Sequence, residues 1–290
     1  MQDAEIMVTI GLPFFNNENT LNYTLKSIFN QTNQNWKLIL INDGSTDNSC
    51  ACISEEILTD SRVQFINDKN NRGLVYRLNQ IADLCDTRYL ARMDSDDLMM
   101  PERIEIQLKY LIEHPEVDLL DSGMYSIDEH YNPFGVRGLC PIAREAKSII
   151  LKPALNHATI MGKSEWFKSN KYDPAYLRAE DYELWCRTYA SSNFERILLP
   201  LYIVREGNVN VKNYALSMKT CRKILNTYGP DFLSKTEFQS AILKTYIKTI
   251  LYNFFGIFRL QHTISKKRNC ELTKNEEIRL KNVLFNILNL

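Results

Sequence analysis

Tyr89-Leu-Ala-Arg-Met-Asp-Ser-Asp-Asp97 is the stretch that decides the fold. Tyr89 to Met93 reads as a short strand, and Asp94, Asp96 and Asp97 put three carboxylates directly at its end. Outward from it, residues 1–124 alternate between short β-branched runs and longer segments of helical spacing. Strands are expected at Ile6–Leu12, Trp36–Asn42, Val63–Ile66, Tyr89–Met93 and Val117–Met124. Helices are expected between them, at Thr20–Asn30, Asp47–Leu58, Leu74–Cys85 and Pro101–Glu113, the last with Pro101 in the first turn. The order is βαβαβαβ, an α/β fold with a mostly parallel central sheet flanked by helices. Residues 135–205 are more mixed, with a helix at Ala143–Leu151, a strand at His157–Gly162 and a helix at Ala179–Ala190.

The chain has 290 residues, 44% of them hydrophobic, enough to bury a core and too many for a disordered or fibrous chain. Its 35 basic and 35 acidic residues balance, which removes any global case for nucleic-acid binding. The balance conceals an asymmetry of −9 over residues 1–211 and +9 over residues 212–290. Residue 211 is therefore the expected boundary between a larger unit and a basic, mostly helical extension. Seven cysteines without a CxxC pair suit core thiols in a reducing compartment. The first residues lack a secretory signal, and no run of about 18 apolar residues occurs, so a cytoplasmic location is expected.

Ligands bind open α/β sheets at the carboxyl ends of their strands, where the 94–97 carboxylates fall. Two unit charges 4 Å apart repel by about 4 kcal/mol at an effective dielectric near 20, so such a cluster makes sense when a cation compensates. Mg²⁺ or Mn²⁺ held by one or two carboxylates plus substrate phosphates fits; a solvated turn capping the next helix is the competing reading. An EF-hand is disfavoured, because the required Gly and distal Glu are missing. Asp43-Gly-Ser-Thr-Asp47 ends the second strand in an acidic turn, whose Asp could accept a hydrogen bond from a base N–H or serve simply as turn and cap. Glu180 and Asp181 open a helix, either as partners of its dipole or as a general base.

Taken in order, these segments resemble the family 2 glycosyltransferases, which have the GT-A fold. The resemblance runs through Val8 to Asn16 with Glu18, Leu40 to Asp47, Asn71 to Leu74 with Leu78-Asn79, and Tyr89 to Asp97. It continues through Pro101 to Ile104, Gln107, His114-Pro115, His157 to Thr159 and Ala179 to Trp185, covering roughly residues 6–206. It implies that Pro13, Phe14, Glu18, Asp43 and Ser95 line the donor nucleotide site, with Asp43 on the base. Asp94 and Asp96 correspond to the family's DxD pair on ribose and metal, with Asp97 a secondary candidate. Asp181 would deprotonate the acceptor hydroxyl, with Glu180, His157 and Trp185 on the acceptor side. Arg77 and Ala158 depart from the common pattern at positions that carry no chemistry. Tyr202 and Arg205 stand two residues further apart than usual.

The resemblance implies metal-dependent, inverting transfer from a nucleotide-diphospho-sugar, with a UDP-sugar the expected donor. The acceptor would be a saccharide or lipid-linked saccharide in surface polysaccharide synthesis. A nucleotidyltransferase and a non-catalytic sugar-nucleotide sensor or assembly partner are the alternatives. The first would need a Gly-rich, basic triphosphate loop that is missing; the second would not need Asp181.

In the extension, Leu243, Ile247, Ile250, Phe254 and Ile257 fall at alternating spacings of four and three beside Lys244 and Lys248, followed by Arg259 and Lys266 to Arg268. This face over 237–268 is expected either to lie on an anionic membrane or to pack on the catalytic unit or a second copy.

Overall fold

The structure, a computed structural model, describes residues 7–207, 210–257 and 268–289. Four strands run parallel in the order β3 (Val63–Asp68), β2 (Trp36–Asp43), β1 (Val8–Phe14), β4 (Tyr89–Arg92). Helices α1 (Leu21–Phe29) and α3 (Leu74–Leu84) fit the expected crossovers. Between β2 and β3 the expected Asp47–Leu58 helix is instead a 3₁₀ turn at Ser49–Cys52 and a short α2 (Glu55–Thr59). Ser54 caps α2 and breaks the run. The shared direction of the four strands brings Phe14, Asp43, Asp68 and Arg92 to one edge.

Beyond β4 the sheet turns mixed. After β5 (Leu98–Met99) and α4 (Arg103–Glu113) come β6 (Leu119–Ile127), β7 (Pro133–Arg137), α5 (Ala146–Leu151), β8 (Met161–Lys163), α6 (Ser164–Ser169), α7 (Glu180–Thr188) and β9 (Phe194–Arg205). Strand β8 lies antiparallel between β4 and β6, and β9 runs parallel to β6 while closing on β5. The expected strand at His157–Gly162 starts later: His157–Thr159 is a 3₁₀ turn. Because β8 is antiparallel to β4, that turn sits at the end of β4, beside the acidic loop.

The extension builds on the same body. Helix α8 (Val211–Tyr228) packs on α7, and α9 (Lys235–Ile257) packs on α8, with Tyr214 and Tyr252 stacked at 3.5 Å. Helix α10 (Lys274–Leu288) buries Leu280, Leu284 and Ile287 against Leu98, Met100 and Ile203. The face of α9 that packs carries Ala241, Ile242, Thr245 and Tyr252. Leu243, Ile247, Ile250 and Phe254 stay exposed, so the expected packing of that face on the catalytic unit does not occur. Ile6, Arg259, Lys266 and Lys267 lie outside the described residues. Among the described residues no helix is long and apolar enough to cross a membrane, and all seven cysteines are free thiols.

Candidate active site

The loop after β4 is held by α1 and β9. Thr24 donates to the carbonyls of Ser95 and Asp97 at 3.0 and 2.8 Å, and Thr20 to that of Ser95. Ser95, expected at the donor, spends its hydroxyl on Asn17 Oδ1 at 2.8 Å and so braces the loop. Tyr202 is a tie: its hydroxyl accepts the Asp94 N–H at 3.2 Å and hydrogen-bonds the Asp97 carboxylate. Asp97 also accepts the Arg205 N–H at 2.8 Å. It is buried, and burial, with Asp96 and Asp94 beside it, pushes its pKa well up, so it anchors the strand β9 to the loop.

That leaves Asp96 as the carboxylate of the loop that is exposed, with Asp94 half-buried beside it. Asp94 forms a two-pronged ion pair with Arg92, at 2.5 and 2.9 Å. Asp96 is exposed, and burial of its carboxylate environment together with Asp94 raises its pKa, so an added cation would be stabilising there. Among the described residues no group of three acidic, His or Cys side chains could hold a metal unaided. Two neighbouring carboxylates are the chemistry that suits an ion taking its remaining oxygens from substrate phosphates.

Asp43 sits at the edge of β2 under a turn that needs Gly44: with φ +76°, a Cβ there would come within 2.7 Å of the Asn71 backbone nitrogen. Its carboxylate accepts the N–H groups of Arg72 and Gly73 at 2.8 and 3.0 Å and the Arg77 Nε at 2.6 Å. Arg77, a departure thought to carry no chemistry, is fully buried and ties Asp43 to Asp68 at 2.9 Å. Breaking such a buried pair costs about 3 kcal/mol, since the carboxylate left behind stays desolvated. Arg77→Met should lower stability by about that amount in urea unfolding and weaken nucleotide binding, with Arg77→Lys intermediate; an unchanged midpoint would refute the role.

Glu18 braces the neighbouring loop, accepting the Asn48 N–H at 3.0 Å. Pro13 is buried at the end of β1. Phe14 is also in the core, 2% exposed and stacked on Phe65, whereas Phe15 is 43% exposed and is the aromatic available to a base. β1, buried on both faces, ends at Phe14, and Phe15 lies in the bend just past it, which separates the two.

Glu180 and Asp181 reach this edge from the other half of the sheet. Asn79 on α3 holds the Tyr172 backbone by two 2.9 Å hydrogen bonds, fixing the segment that leads into α7. His157 Nε2 pairs with the Tyr172 hydroxyl at 2.8 Å, and its Nδ1 lies 4.0 Å from Asp181. Burial, then Arg92, lowers the His157 pKa well below its usual value, so this ring is neutral and serves as a spacer rather than a cation. Arg92 feels Asp94, Tyr172, Tyr202 and Glu180 together: burial pulls its pKa down, and these neighbours more than offset that. The 94–97 loop and the Glu180-Asp181 pair thus converge on one guanidinium. Trp185, expected at the acceptor, is wholly buried against Trp166 and Phe194 and is core instead.

Burial, reinforced by Glu180, raises the Asp181 pKa to about 6. A carboxylate so placed is ionised at neutral pH yet basic enough to take a proton. Its protonated form predominates below that value, so kcat/KM should fall about tenfold per pH unit below pH 6 and be flat just above it; a profile flat down to pH 4.5 would remove Asp181 from the proton transfer.

Arg92, Tyr172 and Tyr202 sit among these carboxylates and are positions that reading the carboxylates alone missed. Arg92 was visible as a charge inside an apolar strand; Tyr172 lies in a stretch without period and gave no sign.

The open sheet with its acidic edge and closing second half is the GT-A arrangement. The chain matches glycosyl transferase family 2 over residues 9–167 and belongs to that family. It is a glycosyltransferase. EpsE of Bacillus subtilis is 30% identical over 234 residues, covering 75% of this chain and 82% of that one. The Escherichia coli UDP-Glc:α-D-GlcNAc-diphosphoundecaprenol β-1,3-glucosyltransferase WfgD is 24% identical over 195 residues, 67% of this chain and 74% of that one. The crystal structure of S. aureus TarS residues 1–349 in complex with UDP-GlcNAc superposes with a TM-score of 0.61 at 14% identity, covering 98% and 81% of the two chains.

Proposed function

We propose that the protein is an inverting transferase that moves a sugar from a nucleotide-diphospho-sugar, with UDP-sugars the favoured donors, to a hydroxyl of a saccharide or lipid-linked saccharide in surface polysaccharide synthesis. The observation that carries this is the convergence of Asp94, Glu180 and Asp181 on Arg92, joining a donor edge to a base. Asp43, with one carboxylate oxygen bonded only to Gly73 N–H at 3.0 Å, retains acceptor capacity for a base N–H, and Phe15 offers a ring to stack on. Asp96 and Asp94 would hold Mn²⁺ or Mg²⁺; such an ion, when bound, offsets the charge of the departing diphosphate.

The chain's own part in the reaction is positional and acid–base. Asp181 takes the proton from the acceptor oxygen as that oxygen bonds to the anomeric carbon, and the carbon–phosphate-oxygen bond breaks on the opposite face. A single displacement inverts the centre. The 94–97 loop, strapped by Thr20, Thr24 and Tyr202, would hold Asp94 and Asp96 in place for an ion and the leaving diphosphate.

Residues 1–211 would form the catalytic unit and 212–290 an accessory one, in the cytoplasm. The exposed apolar face of α9 beside Lys244 and Lys248 supports contact with the inner membrane surface. A thermal-shift screen of nucleotide-sugars with Mn²⁺ or Mg²⁺ tests the core of the proposal: a UDP-sugar should raise the melting temperature only with metal, and no shift with any donor would sink it.

A further inference from the structure

Between α5, α7, α8 and α9 runs a groove of about 480 Å³ that the donor site leaves unused. Tyr182, Met218, Cys221, Leu225 and Ala241 form its apolar wall, and Lys244 and Lys248 stand on it one helical turn apart. Glu237, the carboxylate in the lining, is tied up by an ion pair with Lys147. Among the described residues neither Lys244 nor Lys248 has a carboxylate within ion-pair distance.

Two observations join this groove to the transfer site and to the outside. Tyr182 follows Asp181 on α7, and its hydroxyl donates to the Ile150 carbonyl, which fixes the wall. On its outer side α9 shows Leu243, Ile247, Ile250 and Phe254, the last two 67% and 56% exposed. A contiguous apolar row of this kind marks an interaction surface rather than ordinary solvated helix.

We propose that this groove binds the diphosphate and first isoprenoid units of a lipid-linked acceptor, with Lys244 and Lys248 on the phosphates and the outer face of α9 in the bilayer. The inference rests on the transferase reading, since it names the acceptor delivered to Asp181. Charge decides the occupant: two unpaired lysines between an apolar wall and an apolar outer face match an anionic headgroup at the junction of a hydrocarbon chain and a saccharide. The segment's excess of positive charge favours the same anionic surface.

The test uses the full chain and flotation with three kinds of phosphatidylcholine vesicle: undoped, doped with phosphatidylglycerol, and doped at matched charge with a long-chain polyprenyl diphosphate. Binding should be strongest to the last. The Lys244→Gln/Lys248→Gln variant should lose it by about tenfold or more, at roughly 1 kcal/mol for each lysine near the surface. Ile250→Glu/Phe254→Glu should abolish binding to all three. Equal binding to phosphatidylglycerol vesicles, no effect of the lysine changes, or an apolar face covered by a second copy with no vesicle binding would each overturn the proposal. Thermal shift with nucleotide-sugar and metal, run on the same variants, should be unchanged. Loss of that shift in the unmodified chain would overturn the transferase reading while leaving the vesicle result to stand or fall separately.

Discussion

Asp181→Asn is expected to lower transfer by at least about 100-fold while leaving metal-dependent binding of the nucleotide-sugar near normal. Loss of a positioned general base costs about 10² to 10⁴ in rate. The change is nearly isosteric and removes a charge that burial and Glu180 already disfavour, since the Asp181 pKa is raised to about 6. A carboxyl with a raised pKa holds its proton more tightly folded than unfolded, so its contribution favours the fold at low pH and declines as pH rises towards 6. At neutral pH the Asn variant should therefore melt no lower than the unmodified protein. Stopped donor turnover with intact binding would assign the base, whereas unchanged transfer would require another. An unmodified protein that binds donor but glycosylates no acceptor would favour the sensor alternative.

Asp96→Asn should show the opposite pattern, with donor binding itself impaired. If the carboxylate holds the metal on the diphosphate, its loss removes the cation's share of charge stabilisation, which is several kcal/mol for such ions. Even about 3 kcal/mol corresponds to on the order of 100-fold in affinity or rate. Isothermal titration with Mn²⁺ and UDP-sugar measures this directly. Because Asp94 and burial raise the Asp96 pKa, neutralising it should not destabilise the metal-free protein. A variant that retains full metal-dependent binding would place the ion elsewhere. Asp97→Ala should behave differently: the side chain is buried and joins the Arg205 backbone to Tyr202, so removing both hydrogen bonds should appear as lost stability.

Much of the architecture was legible because local pattern and topology agreed. The strands β1 to β4 are short apolar runs followed by turns, and each placed its acidic or aromatic terminus at the same edge without any knowledge of contacts. Within that edge the local reading mistook neighbours for one another. Phe14 and Phe15 are adjacent and chemically identical, and only the end of the buried strand between them separates the core ring from the exposed one. The same applies in the extension, where packing of the apolar row of α9 on the catalytic unit, one of the expected alternatives, does not occur, since α8 meets the helix through Ala241, Thr245 and Tyr252 instead.

The second half of the sheet was least legible. Strand β9 interleaves charged and apolar residues with irregular register against β6, and β5 is only two residues long, so neither offers a period to detect. Their consequence is long-range: Tyr202 and Arg205 secure a loop more than a hundred residues earlier in the chain.

The amino-acid sequence by itself determined the parallel half-sheet, the acidic edge and the family, because alternation and strand-end chemistry are local properties of consecutive residues. Tertiary structure alone decided which carboxylate is a strap and which faces solvent, that Arg77 anchors Asp43, and that Arg92 gathers groups from both halves. Those assignments depend on burial and on charges brought within a few ångströms by folding, and electrostatic strength is set by distance and desolvation rather than by order along the chain.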